Sequence, residues 1–184
     1  SHKMVTDNAE LVELFKDITV AQIPNRVHRK EFRLIDMLTL NDHDSERYVI
    51  DPDLRHLHRY DDINLFSHST IRPDPNKPHS SKNHINANKV VNPYDPQTST
   101  TTKYIATQGP LQRTADHFWR MIENHKVTHI LMILEKSKVP NRCWNYWTQE
   151  VAQLSEYAVR IVKIEEGPFI DHRRLELTNL ATKK

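Results

Sequence analysis

The sequence predicts an α/β domain of the α+β kind, a twisted mixed β-sheet with flanking helices. Two observations carry this expectation. Apolar residues recur at helical spacing over residues 6–38 and again at 114–122, and between and after these stretches they alternate or run together as strand residues do. A single domain over 1–184 fits the length, with residues 1–3 reading as an expression remnant or a processed end.

The first element is a capped amphipathic helix over 6–18, with Asp7 and Glu10 at its start and Leu11, Leu14, Phe15 and Ile18 on one face. A second helix follows Pro24, its apolar face formed by Val27, Leu34, Ile35 and Leu38. Residues 41–53 are polar and turn-like. Pro73, Pro75 and Pro78 then mark 72–83 as an exposed loop, because proline cannot donate to a sheet ladder. Residues 85–91 and 103–107 flank a polar connection, as the arms of a long-tipped hairpin would. Thr114 is placed to cap a helix that buries Ala115, Phe118, Trp119 and Ile122. The continuous apolar run 128–134 predicts a central parallel strand. Val159 and Ile161, alternating with Arg160 and Lys163, predict a half-exposed strand, and Leu175 and Leu177 a last one.

Composition removes several function classes. The formal charge of +2 is too small to argue for nucleic acid or an anionic membrane surface. One cysteine excludes an intrachain disulfide, and no apolar stretch approaches the length of a membrane span. The start Ser1-His2-Lys3-Met4 lacks the basic-then-apolar pattern of a secretory leader, which with the lone thiol predicts a cytoplasmic location. Pattern alone leaves function at a soluble globular domain.

Sharper information lies in short motifs. Lys103-Tyr104-Ile105-Ala106-Thr107-Gln108-Gly109-Pro110-Leu111, then Thr114 and Phe118-Trp119-Arg120-Met121, closely resembles a signature of tyrosine-specific protein tyrosine phosphatases. Upstream, His58-Arg59-Tyr60 with Asp62 resembles the family's phosphotyrosine recognition loop, and Ile85-Asn86-Ala87 the strand after it. Downstream, Glu135-Lys136, Arg142-Cys143 and Tyr146-Trp147 are similar to a glutamate-bearing loop and its return strand, and Arg174 to Leu180 adds a further block. Two places depart from the pattern. Ser67-His68-Ser69-Thr70 lacks the usual acidic residue and arginine, and His84 stands where an aromatic usually precedes Ile-Asn-Ala.

The resemblance implies phosphotyrosine dephosphorylation by a complete domain and assigns roles to four residues here. The Tyr60 ring would stack beside the phosphotyrosine ring and set pocket depth, and Asp62 would accept hydrogen bonds from the peptide backbone. Glu135 would orient a phosphate-binding arginine, and Arg142 would contact the general-acid loop. Read without the family, Tyr60 is equally a core tyrosine, Asp62 a solvated or capping carboxylate, Glu135 an exposed loop carboxylate and Arg142 a solvated strand charge.

The reaction needs a nucleophile, a cradle for the phosphoryl oxygens and an acid for the leaving phenolate. The family draws these from a His-Cys-(x5)-Arg loop and a Trp-Pro-Asp loop. Neither occurs in these 184 residues, and in the family order both would come after residue 184. Six residues beyond Cys143 stands Gln149, and strand alternation would turn Arg142 away from the thiol. The expectation is therefore a front portion, catalytically inactive as given, with no catalytic residue, cofactor or metal of its own. The alternative is a natural truncated pseudophosphatase that binds without catalysis. Expected partners are phosphotyrosine peptides or proteins and a chain or segment completing the sheet, not nucleic acid or membrane. Histidines at 56, 58, 68, 79 and 84 raise a metal site as a further possibility, with His56 and His58 on one face of an extended segment, but no diagnostic ligand spacing accompanies them.

Overall fold

The computed structural model describes residues 47–48, 50–61, 63, 65–90, 104–134, 141–147, 154–167 and 170–183. The helices expected over 6–18 and after Pro24 lie outside the described residues, as do Asp62 and Glu135. The chain divides into two compact units, Thr6–Arg47 and one that contains Tyr48–Lys184. The second unit mixes helix and strand as the sequence predicts.

Its strands pair two by two among the described residues: β1 (Arg47–Tyr48) with β2 (Leu65–Phe66), β3 (Ala87–Val90) with β4 (Tyr104–Thr107), and β5 (Tyr157–Glu166) with β6 (Asp171–Asn179). The β3–β4 ladder is antiparallel, from Ala87 opposite Thr107 to Val90 opposite Tyr104. The other edge of β3 is also occupied. Thr70 bridges Asn88, and the Ile71 N–H and Lys89 N–H donate to Ala87 and Ser69 carbonyls at 3.0 and 2.7 Å.

The β5–β6 ladder is antiparallel with a register shift between Ile161 and Lys163. Before the shift Tyr157 and Val159 turn into the core, and after it Val162 and Ile164 are exposed. The extra residue returns Ile164, opposite Arg173, to the face of Tyr157 and Val159, where it lies beyond the core and stays exposed.

The helix α1 (Ala115–Asn124) buries Ala115, Phe118, Trp119, Met121 and Ile122 along one face. Thr114 does not cap it as the sequence suggested. Its hydroxyl instead accepts the Leu111 N–H at 2.9 Å and donates to the Leu111 carbonyl at 3.2 Å, closing a 3-10 turn over Gln112–Thr114. At the other end Lys126 takes φ 54°, so that its N–H reaches the Glu123 carbonyl and the Val127 N–H the Ile122 carbonyl. This is the double bond of a Schellman stop, held here by lysine where glycine is usual. Asp116, in the first turn, binds outward: its carboxylate accepts the Ser155 N–H and hydroxyl and the Glu156 N–H, tying the start of β5 to the helix.

The core forms where α1 meets β3, β5 and the segment 143–146. Trp119 is fully buried, packs edge-on against Phe118 and Tyr146, and donates its indole N–H to the Tyr146 carbonyl at 3.2 Å. Residues 141–147 do not continue as a return strand. A tight turn, with the Tyr146 N–H on the Trp144 carbonyl at 2.8 Å, brings Cys143 and Tyr146 into the same core and breaks the expected alternation.

Residues 128–134 also depart from expectation, because no strand pairs with them among the described residues. Their exposure alternates. Ile130, Met132 and Leu134 pack against the core, while Leu131 and Ile133 are 60% and 89% exposed. The period of two is that of an extended chain packed on one side only.

Candidate functional site

The segment around Tyr60 begins as a 3-10 helix, Pro52–Leu57, not the extended run that would put His56 and His58 on one face. The Asp51 carboxylate accepts the Asp53 N–H at 3.0 Å and starts it, Leu54 and Leu57 anchor it, and His58 ends it in extended conformation. From there three side chains fasten 56–60 to the turn at 108–113. The Gln108 amide donates to the Leu57 carbonyl and accepts the Arg59 N–H, both at 2.9 Å, so one side chain imitates a strand partner. The Arg59 guanidinium donates to the carbonyls of Gly109 at 2.9 Å, Pro110 at 2.8 Å and Asn141 at 3.2 Å. Arg113 donates to the His56 carbonyl.

The turn at 109–110 is held from its other side as well. The Trp144 N–H donates to the Pro110 carbonyl at 2.9 Å. A Cβ on Gly109 would lie 2.9 Å from the Arg142 carbonyl oxygen and 3.1 Å from the Cys143 Cβ, so glycine is what lets 142–143 close over the turn. Tyr60 follows Arg59 and is 46% exposed, and Asp61 beside it is exposed. The clamp thus fixes the backbone leading into a side chain that itself faces solvent.

Cys143 is 2% exposed, with its thiol directed at the Trp144 carbonyl at 3.5 Å. Burial pushes the thiol above its ordinary pKa, against a weaker opposing pull from the Arg59 charge. A protonated, covered thiol is a poor nucleophile. Arg142 is exposed and its backbone, rather than its charge, meets the turn.

Behind the clamp lies a cluster of histidines. His58 Nε2 is 2.7 Å from His84 Nε2, and His84 Nδ1 is 2.7 Å from His79 Nε2. Asn86 Nδ2 donates to His58 Nδ1 at 2.9 Å and to the Ile63 carbonyl at 3.0 Å, and His117 Nδ1 donates to the His84 carbonyl at 2.8 Å. This is hydrogen bonding rather than coordination. Two nitrogens sharing a tetrahedral zinc would stand about 3.3 Å apart, and His84 offers a different ring nitrogen to each neighbour. Among the described residues no group of three side chains could hold a metal ion. His56 and His68 are exposed and take no part in the cluster.

The structure therefore brings Tyr60, Gln108, Gly109 and the backbone of Arg142 together. It adds two features that sequence reasoning had not assigned, the Arg59 clamp and the histidine chain. No signal in the sequence marked the clamp, because its acceptors are backbone carbonyls far along the chain.

Comparison with known proteins agrees with the motif. The family model described as protein-tyrosine phosphatase matches residues 55–184. Tyrosine-protein phosphatase non-receptor type 5 of Rattus norvegicus is 32% identical over 146 residues, covering 71% of this chain and 38% of that protein. Receptor-type tyrosine-protein phosphatase zeta of Rattus norvegicus is 33% identical over 139 residues, covering 72% and 6%. Tyrosine-protein phosphatase non-receptor type 12 of Homo sapiens is 37% identical over 90 residues, covering 48% and 11%. The chain spans well under two thirds of the length of each of these relatives.

Proposed function

Since the chain belongs to the protein-tyrosine phosphatase family, we propose that its 184 residues recognise phosphotyrosine in peptides or proteins without hydrolysing it. Tyr60 stacks on the phosphotyrosine ring, Asp62 accepts hydrogen bonds from the peptide backbone, and Glu135 and Arg142 serve the phosphate loop and general-acid loop of a complete domain. The observation that carries this reading is the exposed Tyr60 on a backbone clamped by Gln108 and Arg59. A solvent-facing side chain carried on a fixed backbone is partly preorganised for a ligand, which lowers the ordering cost of binding. The buried, raised Cys143 thiol argues against turnover at that residue.

The same reading includes a segment, from this or another chain, that pairs along 128–134 and covers Leu131 and Ile133. Open, apolar strand edges invite such pairing. It also places the protein in the cytoplasm, with no nucleic-acid or membrane partner. No described helix is long and apolar enough to cross a membrane.

Binding of a fluorescent phosphotyrosine peptide, measured against its unphosphorylated twin, tests the proposal. The phosphorylated peptide binds more tightly, and Tyr60→Ala weakens it about tenfold, the loss of one aromatic contact of about 1–1.5 kcal/mol. Unchanged affinity in Tyr60→Ala would remove the assignment. Phosphate release that depends on Cys143 would remove the claim that this chain only binds.

A further inference from the structure

The histidine chain behind Tyr60 has a direction, and its buried end sets that direction. Asn86 presents the same amide nitrogen to the Ile63 carbonyl and to His58 Nδ1, so His58 Nδ1 has to accept. The His58 proton then resides on Nε2 and is donated to His84 Nε2. The His84 proton in turn resides on Nδ1 and is donated to His79 Nε2. Each link has one donor and one acceptor only when all three rings are neutral. His58 and His84 are buried, while His79 opens to solvent.

We propose that His79, His84 and His58 form a proton-gated latch, which holds the Tyr60 loop in place while neutral and releases it when a proton from solvent enters at His79. A proton on His79 Nε2 faces the proton already on His84 Nδ1, two donors across a distance meant for one hydrogen. Reversing the chain moves the conflict inward without removing it, because His58 Nδ1–H would then meet the Asn86 amide. One added proton therefore breaks one link wherever it settles. His58 is the residue before Arg59, so a break at the buried end loosens the clamp from behind.

The electrostatic surroundings favour neutrality at the buried end. Burial lowers the His84 pKa to about 3, with further lowering from His58, His79 and His117. Burial likewise lowers His58, opposed by the Asp61 charge, and lowers His117, where Arg120 adds to the effect and Glu156 and Asp116 oppose it. The sign follows. A histidine kept neutral when folded takes a proton more readily when unfolded, so the stability it contributes is present above about pH 6.5 and is lost as pH falls below that value. His84 alone makes the folded-to-unfolded ratio fall about 30-fold between pH 7.5 and pH 5.

The latch rests on the phosphotyrosine reading only for what Tyr60 does once held, so its test uses no ligand. In a pH titration of the 184-residue chain followed by NMR, the Arg59 backbone amide and the Asn86 side-chain amide shift together as pH falls. In His79→Gln, where the amide oxygen still accepts from His84 but carries no titrating group, that shift disappears. In His84→Phe the acid dependence of urea unfolding shrinks by most of the 30-fold. Arg59 and Asn86 signals that titrate in His79→Gln as they do in the wild type would overturn the latch, as would wild-type signals that do not titrate at all. If His84→Phe does not fold, His79→Gln decides, because position 79 is exposed. A latch that passes this test in a chain that binds no phosphotyrosine peptide would leave the inference standing and remove only the proposed function.

Discussion

Replacing Arg59 by alanine removes the guanidinium that spans three carbonyls, those of Gly109, Pro110 and Asn141. A hydrogen bond from a charged donor contributes about 1.5–3 kcal/mol, with the lower end appropriate to a half-buried group such as this one. The Asn141 bond is the longest of the three and exposed, so it counts least. The sum comes to about 3 kcal/mol, a large fraction of the about 5–15 kcal/mol by which a domain is stable. Urea unfolding of the 184-residue chain reads it as a lower midpoint at unchanged slope, and thermal unfolding as a drop of about 6–12 °C. Arg59→Lys keeps the charge but offers one ammonium in place of a three-pronged fork, so it falls between wild type and alanine. Arg142→Ala, at an exposed side chain, is the control and moves stability by about 0.5 kcal/mol or less. If Arg59→Ala and Arg142→Ala share a midpoint, the clamp holds nothing and the account of the Tyr60 loop fails.

Gly109→Ala destabilises by about 1–3 kcal/mol, because the nearest obstacle to its Cβ is the Arg142 backbone carbonyl at 2.9 Å, which cannot rotate aside as a side chain would. Urea unfolding measures the loss, and a variant as stable as wild type would show that 142–143 does not close over the turn. Trp119→Phe loses the indole bond to the Tyr146 carbonyl and part of a fully buried ring, about 2–3 kcal/mol together, read from the thermal midpoint. A loss below about 0.5 kcal/mol would mean that Tyr146 and Phe118 repack freely around the smaller ring.

What was legible in the sequence had its cause nearby in the chain. The spacing of Phe118, Trp119 and Ile122 is itself the geometry of one helix face, and α1 buries all three. The hairpin expected from 85–91 and 103–107 forms as an antiparallel ladder, and the two strands expected around Val159 and Leu175 form and pair with each other. The clamp was not legible for the opposite reason. Arg59 bonds carbonyls 50, 51 and 82 residues away, and a backbone carbonyl looks the same whatever residue carries it. The histidines were visible one by one, but whether they meet a metal or each other depends on nitrogen-to-nitrogen distances that only the fold sets.

The run 128–134 shows a different limit, since an apolar pattern records the surroundings a segment is built for. Leu131 and Ile133 have the side chains of a strand covered on both faces, yet they stand open while Ile130, Met132 and Leu134 meet the core. Covering a side chain of that size is worth about 1.5–3 kcal/mol, so the pair has a sizeable driving force to acquire a cover. The backbone pulls the same way. Among the described residues no strand pairs with 128–134, and an unpaired extended segment invites a partner strand. The central strand expected from the sequence is not what the fold shows, and a covering strand is the proposed way to reconcile the two. Lysine at Ile133 separates them, because an edge that stays in water gains solubility from the charge, whereas an edge that takes a strand loses the pairing.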